Sequence, residues 1–308
     1  MNVLVTGGAG FIGSHLTRSL VGQGHNVTVL DNFDDAYDPA WKIRNLEGLP
    51  VHLVTGDVRD RSTVEEALRG VDAVVHLAAL AGVRESLESP GEYASVNVGG
   101  TVNLLEALRQ RDSLPFIFAS SSSVYGNRNE GPFVESDPLG FPASPYAASK
   151  RAAELMCHSA HLSWNQPVTM LRFFTVYGPR QRPSMAISKF IRMATNGEVI
   201  PMFGDGKTRR DYTYVDDAVG AVVAALQKPQ QFAVLNVGCG QPVQLDHLVS
   251  AVGVATGQEV QTELMAEQPG DVPLTWADAS EAQRILGWTA KVSLVDGLRK
   301  TVSALDGA

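Results

Sequence analysis

Short apolar and β-branched runs alternate with amphipathic stretches through the first half of the chain. Five such runs predict strands, at Asn2–Thr6, Asn26–Leu30, Val51–Thr55, Ala73–Leu77 and Phe116–Ala119. The stretches between them predict helices, at Ile12–Gly22, Ser62–Leu68 and Val98–Gln110. Strands that are apolar almost throughout and separated by helices indicate a parallel sheet covered on both faces. This is the doubly wound α/β architecture.

The same alternation continues downstream and then breaks up. Further elements are predicted as a helix at Tyr146–His161, a strand at Val168–Phe174, a helix at Val215–Leu226 and a strand at Ala233–Val237. After Gly178, glycine and proline divide the chain into short pieces. We therefore expect two interleaved domains. Residues 1–175 and 213–238 form the sheet domain, and residues 176–212 and 239–308 form a smaller domain that covers the substrate.

Composition and charge narrow the class of protein. The chain has 308 residues, 44% of them hydrophobic, and a formal net charge of −8. This acidic balance argues against broad electrostatic binding to nucleic acid or to anionic membranes. No apolar run is long enough to span a bilayer, and the first residues, MNVLV, lack a signal-peptide pattern. We expect a cytoplasmic enzyme without a metal site, because Cys157 and Cys239 are too few for a cysteine cluster.

A glycine-rich turn follows the first predicted strand directly. Gly7 and Gly10 allow the backbone to turn tightly beside a pyrophosphate, and Gly13 lets the next helix pack close to the strand. Asp31 comes 18 residues after Gly13, at the end of the second strand. A carboxylate there accepts hydrogen bonds from ribose hydroxyls and repels a 2′-phosphate, so the turn predicts NAD rather than NADP. Glycine turns of purely structural origin are the alternative.

Two further strand ends are predicted to contact the cofactor. Asp57 and Val58 follow the third strand, where they can meet the adenine edge. Leu77, Ala78 and Ala79 end the fourth strand with mostly small residues, which let a dinucleotide lie close to the backbone. His76, in the same segment, is interpreted as a half-buried histidine with satisfied hydrogen bonds.

Tyr146 and Lys150 stand four residues apart, on one face of the predicted helix. A nearby cation favours the phenolate, so Tyr146 is predicted to act as an acid or base near neutral pH. The spacing alone also fits a solvated helix face. Ser120, Ser121, Ser122 and Ser123 follow the fifth strand, at the sheet edge where α/β proteins bind ligands.

The segments TGGAGFIG, SSSVYG and YAASK, with Asp31 between the first two, resemble the extended short-chain dehydrogenase/reductase family. The similarity extends over nearly the whole chain and implies a Rossmann-type sheet and bound NAD. It implies that Tyr146 moves the proton of a sugar hydroxyl, that Ser121 and Ser123 bond this hydroxyl, and that Lys150 holds the nicotinamide ribose and lowers the pKa of Tyr146. The remaining positions predicted to bind the cofactor are Phe11, Ile12, Asn32, Asn97 and Ser120.

Within this family, the serine segment favours epimerases. Dehydratases usually carry Asp and Glu where this chain has Ser122 and Ser123, and UDP-glucuronate decarboxylases tend to carry Glu at the Ser123 position. A serine cannot supply their carboxylic acid. The resemblance therefore implies the epimerase reaction. Carbon 4 is oxidised, the keto sugar rotates, and the hydride returns to its other face, so that NAD is regenerated in each cycle.

The GPRQRPSMA segment resembles UDP-glucuronate 4-epimerases and suggests a sugar acid. Arg182 can hold the C6 carboxylate by two hydrogen bonds, Thr175 from the opposite side, and Arg84 adds a second cation. The rest of the UDP-sugar is predicted to contact Ser122, Met185, Lys189, Ile200, Met202, Arg210, Gln268 and Asp271. A UDP-glucose or UDP-N-acetylglucosamine 4-epimerase is the alternative. A UDP-glucuronate decarboxylase and a non-catalytic nucleotide-binding regulator are more distant ones. The family also implies a homodimer formed through helices near Asn97–Arg109 and Tyr146–His161.

Overall fold

The computed structural model describes residues 1–111, 113–268 and 270–305. The strands are β1 (Asn2–Thr6), β2 (Asn26–Asp31), β3 (His52–Thr55), β4 (Ala73–His76), β5 (Phe116–Ser121), β6 (Val168–Phe173), β7 (Thr175–Tyr177), β8 (Ile200–Phe203), β9 (Arg209–Tyr214), β10 (Phe232–Val237), β11 (Pro242–Gln244) and β12 (Thr262–Met265). The helices are α1 (Phe11–Gly22), α2 (Pro39–Leu46), α3 (Arg61–Ala67), α4 (Val83–Glu88), α5 (Pro90–Ala94), α6 (Gly100–Leu108), α7 (Pro145–Trp164), α8 (Ala186–Thr195), α9 (Val215–Gln227), α10 (Leu245–Thr256), α11 (Ser280–Leu286) and α12 (Leu294–Leu305).

Seven parallel strands form the large sheet, in the order β3-β2-β1-β4-β5-β6-β10. The first connection from β1 leads to β2 on one side, and the chain later returns to β4 on the other. This doubly wound order confirms the predicted fold class. The predicted strands agree with the observed ones to within one or two residues. The helices α2, α4, α5, α10, α11 and α12 and the strands β7, β9, β11 and β12 were not predicted. Of these, α4, α5, β7 and β11 are too short to show a clear period.

Apolar side chains cover both faces of the large sheet. Val29 and Leu16 belong to one buried cluster, and Phe118 and Leu104 to the other. The first cluster also contains side chains of α8, such as Ile191, so the later segments share a core with the sheet. The division into domains at residues 175, 212 and 238 stays a prediction.

Two small sheets lie outside the large one. β7, β9 and β11 form a three-stranded sheet, and β8 pairs with β12 in parallel. A search of the described helices finds none that is long and apolar enough to cross a membrane.

Candidate active site

A cleft of about 770 Å³ opens beside the glycine turn that follows β1 and the segment that follows β4. The strand order of the large sheet reverses between these two strands, and α/β sheets bind ligands at this point. The cleft runs from the loops after β2 and β3, past the glycine turn, to the start of α7 and the serine segment (Ser120–Ser123) at the end of β5. Residues of β7 and of the loop before α8 line the same end of the cleft as α7.

The turn between β1 and α1 is built from glycine where the backbone approaches itself. Gly7 has a φ of +68°, and its N–H donates to the carbonyl of Leu30 at 2.8 Å. A Cβ atom at Gly13 would lie 2.0 Å from the carbonyl oxygen of Gly7. The first turn of α1 therefore lies against the cleft, where the positive end of the helix dipole favours an anion such as a pyrophosphate.

Asp31, the last residue of β2, is held beside this turn. Its side chain is 7% exposed, and its two carboxylate oxygens accept hydrogen bonds at 2.9 Å from the N–H groups of Ala9 and Phe33. These bonds fix the carboxylate at the edge of the cleft, as the prediction of a ribose-binding acid requires. The next residue, Asn32, donates a hydrogen bond to Asp57 at 3.2 Å.

The end of the cleft beside Asp57 contains a cation that the sequence analysis did not identify. Arg59 donates two hydrogen bonds to Asp57, at 2.9 and 2.8 Å, and a third to Glu92 at 2.7 Å. The bonds from Arg59 hold the pKa of Asp57 below its ordinary value. Asp57 lines the cleft as expected, but its carboxylate is engaged by Arg59. The contact of Arg59 to Glu92 could not be predicted, because Glu92 lies on a distant helix, α5.

The other end of the cleft brings together the residues predicted to move a proton. Ser144 caps α7 by accepting a hydrogen bond from the N–H of Ala147, and this places Tyr146 in the first helical turn. The Tyr146 phenol faces the hydroxyl of Ser121. The hydroxyl of Ser123 is buried and has no hydrogen-bond partner among the described residues, so it is available to a ligand.

The electrostatic role predicted for Lys150 is not seen in the protein without ligands. Burial raises the pKa of Tyr146, opposed by Ser121 and Arg182, and Lys150 is not among the groups that lower it. The Lys150 ammonium instead donates to the carbonyl of Ala119 at 2.9 Å, and burial lowers its pKa to about 8. Without ligands, the position of Lys150 therefore does not produce a phenolate at neutral pH.

His76, the last residue of β4, lies buried beneath the strand ends that are predicted to contact the cofactor. It is 1% exposed, and its two ring nitrogens lie 2.7 Å from the Thr6 hydroxyl and 3.1 Å from the Thr101 hydroxyl. Burial lowers its pKa to about 3, so the ring is neutral. The interpretation as a satisfied histidine is confirmed, although the residue is fully rather than half-buried.

The predicted sugar-binding side chains come from later segments and have protein partners. Arg182 donates to the carbonyl of Ala81 at 2.6 Å and lies 3.5 Å from the Met185 sulfur. Arg84 forms an ion pair with Asp271 at 3.7 Å, so these two residues contact each other. A ligand on this side would have to compete with these contacts.

Most of the predicted site residues line the cleft. They are Gly7, Gly10, Phe11, Ile12, Gly13, Asp31, Asn32, Asp57, Val58, Leu77, Ala78, Ala79, Ser120, Ser121, Ser122, Ser123, Tyr146, Lys150, Thr175, Arg182, Met185, Arg210 and Asp271. Arg84, Asn97, Lys189, Ile200, Met202 and Gln268 are not in its wall.

Three of these six residues have other surroundings that explain their position. Asn97 is buried behind the wall, where its amide group exchanges hydrogen bonds with both backbone groups of Leu80. Ile200 is fully buried in the core. Met202 lines a separate hollow beside α10. The ligand contacts predicted for all six stay predictions.

Tyr37 and Lys42 also line the cleft, in the loop and helix after β2. The Lys42 ammonium lies 4.9 Å from the centre of the Tyr37 ring and donates to the carbonyl of Asp34. The Tyr37 hydroxyl is buried without a partner in the described part of the chain. The loop has no regular period, so its path over the cleft could not be predicted.

Comparisons with known proteins agree with this geometry. The model of the NAD dependent epimerase/dehydratase family matches residues 3–238. The chain is 36% identical to a UDP-glucuronate 4-epimerase of Thermodesulfobacterium geofontis, over 97% of this chain and 94% of that protein. A crystal structure of UDP-glucuronic acid 4-epimerase from Bacillus cereus, in complex with UDP-glucuronic acid and NAD, has a TM-score of 0.94 and 35% identity, and covers 100% of this chain and 99% of that one. A UDP-glucose 4-epimerase from Thermotoga maritima, with UDP-glucose, has a TM-score of 0.93 and 33% identity, with coverage of 100% and 99%.

Proposed function

Because the chain belongs to the NAD dependent epimerase/dehydratase family, we propose that it interconverts UDP-glucuronate and UDP-galacturonate at carbon 4. One observation carries the choice of substrate and reaction. The cleft contains Tyr146 and the Arg182 guanidinium, while positions 122 and 123 beside Tyr146 carry serine. The cation suits a sugar acid, and the serines cannot supply the carboxylic acid of a dehydratase or decarboxylase.

The residues around the glycine turn fit NAD. A Cβ atom at Gly7 would lie 2.7 Å from the backbone nitrogen of Ala78, so the glycine lets the turn after β1 pack directly against the segment after β4. The Asp31 carboxylate lies at the edge of the cleft beside this turn, where it would accept bonds from the adenosine ribose and disfavour a 2′-phosphate. Lys150 would hold the nicotinamide ribose. When bound, NAD supplies the hydride acceptor and donor for carbon 4.

Tyr146 is proposed to take the proton from the C4 hydroxyl and to return it after the sugar has turned. The hydroxyls of Ser121 and Ser123 would hold the reacting oxygen, and the unpartnered Ser123 Oγ suits this role. The pKa of Tyr146 is raised by burial in the unliganded protein. Proton removal therefore requires the positive charge that the bound cofactor and a charged Lys150 bring to the site.

Arg182 is proposed to bind the C6 carboxylate, with Thr175 on the opposite side. Replacement of the Ala81 carbonyl by a carboxylate gives the guanidinium a charge-assisted, two-bond partner. A carboxylate beside a C4 ketone is a β-keto acid, which tends to lose CO2. We propose that Arg182 also holds the carboxylate out of the alignment needed for this cleavage.

A 4-epimerase for UDP-glucose or UDP-N-acetylglucosamine is the second proposal. It is favoured by the bond from Arg182 to the Ala81 carbonyl, because a guanidinium that already has a protein partner does not require a charged sugar.

The proposed function is tested by incubating the purified protein with UDP-glucuronate, without added NAD, and following the sugar by NMR. UDP-galacturonate is the expected product, and its formation without added cofactor would mean that NAD is retained. UDP-xylose would instead identify a decarboxylase. Turnover of UDP-glucose or UDP-N-acetylglucosamine alone would exclude the carboxylate-binding role of Arg182.

We further propose a homodimer formed through α6 and α7. On α7, Leu155, Met156 and Leu162 are 51%, 38% and 69% exposed, which supports a covered apolar face. Sedimentation velocity should give a dimer, and the double variant Leu155→Glu/Leu162→Glu a monomer. Val254→Glu, at a residue 66% exposed on α10, is the control that should remain dimeric. A monomeric wild type would exclude the proposal.

A cytoplasmic location is part of the same proposal. It is supported by the two cysteines, both of which are free, since a reducing compartment keeps thiols in this state. Fractionation of cells would test it.

A further inference from the structure

A buried ion pair joins α7 to β6 just behind the proposed catalytic residues. Glu154 and Arg172 are only 2% and 3% exposed. Arg172 donates two nearly parallel hydrogen bonds to the Glu154 carboxylate, from Nε at 2.8 Å and from a terminal nitrogen at 3.0 Å. This geometry fixes the orientation of both side chains.

The pair holds the serine segment (Ser120–Ser123) at its first residue and through Tyr125, two residues after its last. At the start, the Ser120 hydroxyl donates to Glu154 Oε1 at 2.6 Å. At the end, Arg172 donates to the Tyr125 hydroxyl at 3.0 Å, and this hydroxyl donates to Asn236 on β10 at 2.7 Å. The residues between, which include Ser121 and Ser123, are therefore fixed between two buried anchors.

Glu154 also belongs to α7, the helix that carries the proposed catalytic residues Tyr146 and Lys150. It lies one turn after Lys150 and two turns after Tyr146, on α7. We propose that Glu154 and Arg172 are positioning residues that hold the serine segment and the Tyr146–Lys150 helix in register for proton transfer. The inference rests on the proposed function, because it concerns the same proton transfer.

The charge of Glu154 also acts on Lys150. Burial lowers the pKa of Lys150 to about 8, and the Glu154 carboxylate opposes this shift. The other charged or titratable groups around Glu154 are Arg151 and Cys157 on α7, Arg172 on β6, and Tyr125 and Glu135 near the far side of Arg172. Burial alone would lower the pKa of Arg172, but its bonds to Glu154 raise it, so Arg172 stays charged.

The test uses the double variant Glu154→Gln/Arg172→Gln. Removal of one partner would leave a buried charge unpaired and endanger folding, whereas replacement of both by neutral amides leaves no unpaired charge in the pair. We expect the double variant to keep its Tm within about 5 °C. Its kcat should fall about 30-fold or more, as expected for misplaced catalytic groups, with the KM for UDP-glucuronate nearly unchanged. Arg151→Gln, which removes only the partly exposed contact to Glu154, is the control that should keep wild-type kcat.

A second readout does not depend on turnover. In protein labelled with ¹³C at lysine Cε, the Lys150 signal, assigned with Lys150→Met, should titrate at lower pH in the double variant than in the wild type. Wild-type kcat together with an unchanged Lys150 titration would overturn the proposal. If wild-type protein turned over no UDP-sugar, the proposed function would fail, and the titration would still decide the effect of the pair on Lys150.

A single-site variant covers the case in which the double variant does not fold. Tyr125→Phe leaves the ion pair intact and removes the second anchor of the serine segment. We expect a several-fold lower kcat at unchanged KM, and no change in either would again overturn the proposal.

Discussion

The two sides of the cleft differ in the atoms that form their surfaces. On the cofactor side, main-chain atoms and the glycine turn define the surface, and a single Cβ at Gly13 would collide with a backbone oxygen. On the sugar side, charged side chains such as Arg182 and Asp271 line it, and each is bonded to another part of the protein. The cofactor side is therefore preformed, whereas the sugar side has to exchange protein contacts for ligand contacts.

This difference indicates at which positions the sequence can change without disturbing the fold. A change on the cofactor side disturbs the fold, because the backbone itself is the binding surface. A change on the sugar side alters one contact and leaves the sheet intact. Substitutions should therefore separate the two sides by their effects on folding and on turnover.

The largest effect is expected where the two sides meet, at Tyr146. Tyr146→Phe removes the hydroxyl that moves the proton, so kcat should fall by about 10³-fold or more, close to the range of general acid–base catalysis. Retained NAD, measured by absorbance after denaturation, should stay at the wild-type level. Tyr214→Phe, a buried tyrosine outside the cleft wall, is the control. Full biological activity of Tyr146→Phe would favour a nucleotide-binding regulator instead.

The preformed nature of the cofactor side is tested by Gly13→Ala. The added methyl group would lie 2.0 Å from the Gly7 oxygen, and the clash should destabilise the protein by about 3 kcal/mol or more. Urea unfolding and the NAD content of the purified protein measure the effect. Gly22→Ala, in the same helix but with nothing within 4 Å of its Cβ, should be tolerated. Equal behaviour of the two variants would contradict the comparison.

The sugar side is tested by Arg182→Ala. Loss of the carboxylate partner should lower kcat/KM for UDP-glucuronate by about 10²-fold, as for removal of a charge-assisted bidentate contact. Stability and NAD content should not change, and a UDP-pentose should appear as a side product. The exposed Arg192→Ala is the control. If Arg182→Ala forms only epimer, its role against decarboxylation fails.

The smallest effect concerns the support beneath the cofactor side, at His76. Its pKa of about 3 lies below the ordinary value of 6.5, so on acidification the unfolded chain binds the proton first. Its contribution to stability is therefore present above pH 6.5 and is lost as the pH falls towards 3, by about 2 kcal/mol at pH 5. Urea unfolding at pH 7 and pH 5 should show a smaller loss for His76→Asn. An equal loss in both proteins would argue against this pKa.

The sheet and the catalytic cluster could be predicted because local sequence determines them. The β1 strand, the turn at Gly7 and the helix containing Tyr146 each show their pattern within about 20 residues. The contact of Arg59 to Glu92 and the partners of Arg172 could not be predicted, because each of these bonds joins elements that only the tertiary fold brings together. The effect of Lys150 on Tyr146 stays a prediction for a related reason. Spacing places the two residues on one face, but burial and the Ala119 carbonyl decide the electrostatics.

The position of β10 in the large sheet also affects biosynthesis. All six residues of β6 are buried, and β10 completes this edge only with Phe232–Val237. While the ribosome is still adding the intervening residues, β6 is an apolar edge strand with unpaired backbone groups, which is the kind of surface that chaperones shield and that aggregates otherwise. The nascent chain is therefore most vulnerable after the catalytic helix α7 has emerged and before β10 has left the exit tunnel.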